Sequence, residues 1–350
     1  MKNFWKSRSI LIIFSAAIVL SVVLLINYTI DPFWSFQHVV PIGRYQPMFD
    51  ERQQKTNYIL FRDLNFDTVI FGNSRVTYMN PLTVPGSAFN YSASSMKPDE
   101  FLPYLRFVAS KSLSPIKKVI LGLSFVDSNA TSRPAFDPPE LYIRKAQSWG
   151  FRYKSLANLA LLRYSLGCVQ RDFSGNYHDS YVRSGHEISS KQMSLPVPPG
   201  LHKKEIDENV SVYRASAYGK SYVYLDNRQI YFDLKNSFPA ARFYVFTTPV
   251  SAHLLELLVE QGLFESYIEW IRGMVDVFGE VWHFMYFNEV TMNDDNCKDA
   301  HHYSPQVCDV ITRKMFGIAE NEIDRDFGIK ITRENIEYYV SFLEKNMKNP

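Results

Sequence analysis

The chain alternates between short, almost continuously apolar stretches and longer stretches in which apolar residues recur at helical spacing. The apolar stretches predict strands over residues 67–72, 87–92, 117–124, 242–249 and 280–285. The helical spacing predicts helices over residues 98–113, 155–167, 221–238 and 253–279. Strands that are apolar on both faces are typical of a parallel sheet covered by helices. The pattern therefore predicts an α/β fold, a three-layer α/β/α sandwich with a central parallel sheet.

The amino terminus has a different pattern. Residues 10–26 contain no charged residue, and Lys2, Lys6 and Arg8 precede them. Residues 9–28 are about as long as the ~20 residues that cross a bilayer, so they predict a transmembrane helix. The apolar run is longer than a usual signal-peptide core and no small-x-small site follows it, which favours an uncleaved anchor over a cleaved signal peptide. The positive-inside rule predicts that residues 1–8 are cytoplasmic and that the rest is periplasmic or extracellular.

Two segments interrupt the α/β pattern. Residues 29–60 show no clear periodicity, and we interpret them as a membrane-proximal connector. The remaining residues, 61–350, are predicted to form the α/β domain. Within it, residues 128–217 are rich in Ser, Pro, Arg and Tyr and predict an insertion, which could serve as a lid or a substrate-facing flap.

Charge and cysteine content narrow the function classes. The chain has 38 basic and 36 acidic residues and a net charge of +2, with no basic patch interleaved with aromatic residues. This composition argues against a nucleic-acid partner. The three cysteines, Cys168, Cys297 and Cys308, fit either redox compartment. Either Cys297 and Cys308 form a disulfide and leave Cys168 free, or all three are unpaired thiols.

Two predicted loops contain residues that could carry out catalysis. Ser74 follows the first predicted strand in FGNSRV, where a plain strand-to-helix turn is the alternative interpretation. Ser304 and Pro305 predict the N-cap and first turn of a helix, so Asp299 and His302 lie in the loop before it. Their three-residue separation lets the carboxylate hold the imidazole in one tautomer, and the other imidazole nitrogen can then accept a serine proton. Ser74, His302 and Asp299 are therefore predicted as nucleophile, base and orienting carboxylate.

The second loop also has other interpretations. Potential metal ligands are numerous in it: Asp294, Asp295, Cys297, Asp299, His301 and His302. Their spacing matches no familiar metal signature, and adjacent histidines seldom bind one ion, so no metal is predicted. The alternative that this loop is simply polar and has no chemical role is left open. His301 is expected to be solvated or structural, because adjacent side chains point apart.

These motifs resemble those of the SGNH (GDSL-type) hydrolase superfamily, in particular its membrane-anchored bacterial branch associated with cell-surface polysaccharide modification. FGNSRV is similar to the first family block, which supplies the nucleophile, and DAHHYSP to the last block, Asp-x-x-His. FNYSASS resembles the second block, and TTPV resembles the late strand ending. An α/β-hydrolase elbow fits less well, because Val76 stands where Gly-x-Ser-x-Gly requires its last glycine.

The resemblance implies a flavodoxin-like SGNH fold and oxyanion donors at defined positions. The amides of Ser74 and Ser95 are expected to donate, with Ser95 standing where many members have a glycine. Many members have an asparagine in the third block. Here LGLSFVD has Ser124 or Phe125 at that place, so Ser124 or Asn73 is expected to substitute for it. Arg75 is expected either to bind an anionic group or to form a salt bridge that fixes the chain after Ser74.

The resemblance also implies substrate and partners. It predicts a serine esterase or O-acyltransferase acting on acetyl esters of a cell-surface polysaccharide or other O-acylated glycan, with a membrane acyltransferase as a further partner. No cofactor is implied. The alternative is a non-catalytic SGNH-like scaffold or sugar-binding partner in polysaccharide assembly, which the missing third-block asparagine favours.

Overall fold

The computed structural model describes residues 2–132, 136–184, 187–193, 195, 197–318 and 326–348. Parts of three predicted segments lie outside the described residues. These are Met1 of the cytoplasmic segment, residues 133–135, 185–186, 194 and 196 of the insertion, and residues 319–325 and 349–350 of the α/β domain.

Strands and helices alternate along most of the described chain. The strands are β1 Tyr45–Pro47, β2 Thr68–Gly72, β3 Ala88–Asn90, β4 Lys118–Leu123, β5 Ser180–Ser184, β6 Glu187–Gln192, β7 Arg242–Thr247, β8 Glu280–His283 and β9 Ile329–Thr332. The helices are α1 Lys2–Ile30, α2 Glu51–Leu60, α3 Phe101–Lys111, α4 Pro139–Gln147, α5 Phe151–Lys154, α6 Leu159–Ser174, α7 Pro199–Val212, α8 Arg228–Ser237, α9 Ala252–Glu260, α10 Phe264–Phe278, α11 Pro305–Phe316 and α12 Ile336–Lys348.

The main sheet has the strand order β3-β2-β4-β7-β8-β9. Its first five strands are parallel, and only β9 pairs antiparallel with its neighbour. All residues of β2 are buried, as expected for a strand covered on both faces. The predicted α/β fold and its five strands are confirmed. The edge strand β9 was not predicted.

Chain order in this sheet reverses between β2 and β4. From β2 the chain goes outward to β3 and then returns to β4 on the other side. In open α/β sheets, ligands bind beyond the carboxyl ends of the strands at such a reversal. The fold therefore directs attention to the residues that follow β2 and β4.

Two helix predictions need correction. The stretch 253–279 is not one helix: α9 and α10 are separated by a break at Gly262, whose φ of +70° is left-handed and ends α9. The stretch 221–238 is helical only from Arg228, because Tyr224 pairs with Asn129 in an isolated antiparallel bridge. Propensity was overridden there by a tertiary contact.

The chain divides into two compact units. Unit 1 comprises Met1–Arg62 and Glu140–Ser189, and unit 2 comprises Asp63–Pro139 and Ser190–Pro350. The predicted connector thus lies in unit 1, where it contains β1 and α2. The predicted insertion is divided, because residues 140–189 belong to unit 1 and its other described residues to unit 2.

In unit 1, α2 is polar and yet almost entirely buried. Its Gln54 side-chain amide donates to the carbonyl oxygen of Pro32 at 2.7 Å, and that of Asn57 donates to Phe33 at 3.0 Å. The polar helix thereby satisfies backbone groups of the segment that follows α1, which is what allows polar side chains to be buried.

The last turns of the apolar helix α1 pack in the same unit. Among the described residues it is the one helix long and apolar enough to cross a membrane, over Arg8–Ile30. Its last turns fold into unit 1, where Asn27 is fully buried and donates to the carbonyl oxygens of Leu156 at 2.8 Å and Asn158 at 3.2 Å. The helix is consistent with a signal anchor or a signal peptide.

Candidate active site

Ser74 lies two residues beyond the carboxyl end of β2. Gly72 of β2 stands opposite Gly122 of β4, and a Cβ atom on either would clash with the side chain of Val76. The two glycines therefore let the turn that carries Ser74 fold back onto the sheet. A 3₁₀ turn over Val76–Tyr78 follows, rather than a long helix.

Asp299 and His302 lie in the loop before α11, as predicted. The Ser304 hydroxyl caps this helix by accepting from the Val307 amide at 3.3 Å. The loop is closed on itself, because the Lys298 amide donates to the His302 carbonyl oxygen at 2.9 Å. These local bonds fix the position of the loop.

The structure brings Ser74, His302 and Asp299 together in unit 2. Ser74 Oγ lies 2.8 Å from His302 Nε2, and His302 Nδ1 lies 2.8 Å from Asp299 Oδ2. Asp299 Oδ1 accepts from the amides of His301 at 2.9 Å and His302 at 2.8 Å. Every distance is that of a good hydrogen bond.

The electrostatics of this group determine its protonation. Burial works to raise the pKa of Asp299, but the charge of His302, the hydrogen bond from His302 and the charge of His301 outweigh it and hold the pKa well below its ordinary value. Because the carboxylate is ionised, we assign the His302 proton to Nδ1. Nε2 is then free to accept the proton of Ser74, so the arrangement can activate a serine hydroxyl.

No family model matches the chain, and no curated protein matches its sequence. What the fold shows is an α/β protein with a mainly parallel six-strand sheet.

Asn73 and Ser124 belong to a network beneath the site. The Asn73 side-chain amide donates to Ser124 Oγ at 2.8 Å and to Asp127 Oδ2 at 3.2 Å. Ser124 Oγ also contacts Thr248 Oγ1 at 2.7 Å. Both amide hydrogens of Asn73 are thus engaged within the protein. In this arrangement they are not available to a substrate oxyanion.

Ser95 lies in the turn after β3, which neighbours β2 in the sheet. This turn is bonded to the end of β2, because the Ala93 amide donates to the Gly72 carbonyl oxygen at 3.2 Å. Ser95 is exposed and has a φ of +53°, the left-handed region that glycine favours. The oxyanion roles of the Ser74 and Ser95 amides stay predictions.

Arg75 is buried, with 5% of its surface exposed. Its guanidinium donates to Thr248 Oγ1 at 3.1 Å and to the Tyr213 hydroxyl at 2.6 Å. The hydrogen-bond partners are therefore hydroxyl groups, not the carboxylate of the expected salt bridge. Arg75 joins the turn after β2 to the end of β7 and to the segment after α7.

Sequence reasoning did not find Thr248, Tyr213 or Asp127 as members of this network. Thr248 directly follows β7, so its place at the carboxyl edge of the sheet was a usable signal. Tyr213 lies at the start of a π turn within the predicted insertion and places its ring 5.3 Å from that of His301. No local pattern distinguishes Tyr213 from the other tyrosines of that region.

Three of the six potential metal ligands named in the sequence analysis lie close together. Asp299, His301 and His302 offer ligand atoms that lie within 4.8 Å of one another. The His301 side chain is mostly buried rather than solvated, and burial, followed by the charge of His302, holds its pKa well below the ordinary value. Asp294 instead contacts His253 at 3.1 Å, and the Cys297 thiol donates to the Asp294 carbonyl oxygen at 3.3 Å.

All three cysteines are free and buried. The second of the two predicted alternatives, three unpaired thiols, is therefore the one present. Burial raises the pKa of Cys308 to about 12. Buried thiols with a raised pKa are poor nucleophiles, so none of the cysteines competes with Ser74 for that role.

Proposed function

We propose that the protein is an extracytoplasmic serine esterase or O-acyltransferase of the SGNH type, acting on acetyl esters of a cell-surface carbohydrate. The observation that carries the proposal is the pair of 2.8 Å contacts that connects Ser74 through His302 to Asp299. Such a relay makes a serine nucleophilic at neutral pH.

The reaction follows from these contacts. Ser74 Oγ attacks the ester carbonyl while His302 Nε2 takes its proton, and the new oxyanion lies against backbone amides. As the tetrahedral intermediate collapses, His302 donates that proton to the leaving alcohol and the acyl group stays on Ser74. Water or a sugar hydroxyl then attacks the acyl-serine while His302 Nε2 takes its proton. The bond between Ser74 Oγ and the acyl carbon breaks, His302 returns the proton to Ser74, and acetate or the new sugar ester leaves. Water as acceptor makes an esterase, and a sugar hydroxyl makes a transferase.

Two further observations support the SGNH assignment. Ser74, Asp299 and His302 follow one another in the chain order of the family blocks, and Ser74 lies at the chain-order reversal of the sheet. The left-handed backbone of Ser95 suits a position where many members have a glycine. The carbohydrate substrate is carried by the resemblance alone.

We also propose that α1 is an uncleaved anchor. Cleavage beyond Asn27, which directly follows the apolar run, would take this residue out of unit 1, where its side chain bonds Leu156 and Asn158 and accepts from Ser165 at 2.9 Å. The buried carbonyl oxygens would lose their donor at a cost of about 1–3 kcal/mol each. An anchor that stays on the chain suits the packing better than a cleaved peptide.

A non-catalytic scaffold is the second candidate. It is favoured by one observation: the side chains of Asn73 and Ser124, the expected substitutes for the missing asparagine, are engaged with Asp127 and Thr248. Losing an oxyanion donor can remove about 3–4 kcal/mol of transition-state stabilisation. A scaffold would not react with acyl esters.

Hydrolysis of an acetyl ester by the full-length chain in detergent tests the proposal. We expect Ser74→Ala to abolish the rate and Ser87→Ala, an exposed serine of the same unit, to leave it unchanged. If none of the three proteins hydrolyses the ester, a carbohydrate acceptor is added to detect transfer. Absence of both reactions would contradict the proposal and favour the scaffold.

A further inference from the structure

Unit 1 carries an exposed aromatic and basic surface next to the last turns of α1. We call it the juxtamembrane patch and define it by Tyr28, Trp149, Tyr153, Lys154 and Leu159. Trp149 is 87% exposed, Leu159 72% and Tyr153 57%. Large apolar side chains exposed together in this way mark a surface that another body covers.

The patch is joined to α1 by direct contacts. The ring of Tyr28, on α1, lies 4.8 Å from that of Phe36, which lies 6.0 Å from that of Tyr153. Lys154 Nζ stands 4.8 Å over the ring of Trp149. The patch therefore lies only a few side chains from the point at which α1 leaves unit 1.

The free length of α1 brings this point close to a bilayer. All side chains over residues 10–22 are exposed, and Val23, which directly follows them, is buried in unit 1. Thirteen residues at 1.5 Å each give about 20 Å, whereas the hydrocarbon core is about 30 Å thick. The missing length has to come from turns that already pack in unit 1. The surface around those turns must then reach the lipid headgroups, and any tilt of α1 increases the shortfall.

The charge of the patch fits an anionic surface. No acidic residue occurs between Glu140 and Arg163, and the basic residues of this stretch are Arg144, Lys145, Arg152, Lys154 and Arg163. Aromatic side chains beside basic ones are typical of segments that lie at the headgroup level, where basic residues are attracted to an anionic surface.

A groove beside Trp149 adds space for part of a lipid. Its volume is about 350 Å³, and its walls include Leu60, Phe61, Trp149 and Tyr153. The guanidinium of Arg152, also in the wall, lies 5.2 Å from the ring of Phe61 and 4.7 Å from that of Tyr153. An apolar groove with one fixed cation suits the glycerol and phosphate region of a phospholipid.

We infer that the juxtamembrane patch binds the surface of an anionic phospholipid bilayer, so that unit 1 lies against the membrane instead of hanging from α1 on a free tether. This inference rests on the proposed anchor. It assigns to α5 and to the start of α6 a lipid-binding role that is separate from the chemistry at Ser74.

Environment-sensitive labels on the full-length chain in nanodiscs test the inference. Single cysteines replace Ser148, beside Trp149, and Ser174, at the carboxyl end of α6 beside Phe173, which is 80% exposed. The two positions are matched, since each hydroxyl donates to the carbonyl oxygen three residues earlier. Ser15→Cys, within α1, reports insertion of the anchor. The native cysteines are buried, and the unsubstituted chain measures their background labelling.

In nanodiscs of equal phosphatidylglycerol and phosphatidylcholine, we expect the nitrobenzoxadiazole label at 148 to emit at shorter wavelength and to be quenched by headgroup-region spin-labelled lipid. The label at 174 should behave as in water, because the length of α6 places it about 20 Å from Leu159 of the patch. Trp149→Glu should move the label at 148 into water.

Three outcomes would overturn the inference, and they are distinguishable. A label at 148 in water, with the label at 15 in lipid, refutes the patch while the anchor stands. Labels in water at both 15 and 148 refute the anchor and the patch together. Equal quenching at 148 and 174 also refutes the assigned surface, because it would place α6 as a whole against lipid.

Discussion

Asp299→Asn is the substitution that examines the candidate site most closely. An asparagine can place its carbonyl oxygen where Asp299 Oδ1 accepts from the amides of His301 and His302. Its NH₂ group then faces His302 Nδ1, which accepts in place of donating. The imidazole is held in the opposite tautomer, with its proton on Nε2 and directed at Ser74 Oγ.

The expected loss follows from that tautomer. A base that already carries a proton on Nε2 cannot take one from Ser74, and the corresponding change in a serine triad lowers kcat by about 10⁴. This factor is about 5 kcal/mol of transition-state stabilisation. Stability should change much less, since two of the three bonds to Asp299 keep their geometry. We expect the free energy of unfolding to fall by no more than about 1–3 kcal/mol.

The assay is acetyl-ester hydrolysis by full-length protein in detergent, with denaturant unfolding measured on the same preparations. Asp295→Asn, an exposed carboxylate of the same loop, is the matched control and should keep the wild-type rate. The reasoning is refuted if Asp299→Asn, folded and with normal unfolding, hydrolyses the ester within tenfold of wild type while Ser74→Ala does not. His302 would then act without Asp299.

The other predictions concern stability and processing. Burial lowers the pKa of His283 from 6.5 to about 3, so the unfolded state binds the extra proton as the pH falls. From about pH 7 to about pH 5 wild type should lose about 2 kcal/mol more unfolding free energy than His283→Gln, and equal losses would contradict this. Arg75→Met should lower the free energy of unfolding in denaturant by about 1–3 kcal/mol, whereas Arg242→Met, at an exposed position, should lower it by less than ~0.5 kcal/mol. Equal losses in the two variants would refute the hydrogen-bonding role of Arg75. The intact mass of membrane-extracted protein should include α1; a chain beginning after Ile26 would contradict the anchor.

Much of the sheet could be predicted because its central strands are short, continuous apolar runs. The strands β2 and β4 are almost fully buried, and β7, next to β4, is buried over residues 245–247, so their residue types alone indicate that they are buried. The strands of unit 1 and the edge strand β9 are short and partly polar. Their pairing depends on partners far away in the chain, which a local pattern does not contain.

The same distinction holds at the candidate site. Asp299 and His302 are three residues apart, and their contact is local, so spacing alone indicated it. The contact of His302 with Ser74 spans 228 positions and could be expected only through the topology of a parallel sheet. The bond from Arg75 to Tyr213 depends on how the segment after α7 folds back, for which the sequence offers no signal. The burial of the polar helix α2 is likewise a tertiary effect, because its amides satisfy a distant backbone.

Labelling by a serine-reactive fluorophosphonate is the sharpest test of an activated Ser74, since it reports a reactive serine without knowledge of the natural substrate. The full-length chain is treated, digested and mapped by mass spectrometry, beside His302→Ala. We expect one phosphonate adduct, on the peptide that contains Ser74, and its loss when His302 is replaced. A folded wild-type chain without an adduct, or with an adduct on another serine, would contradict it.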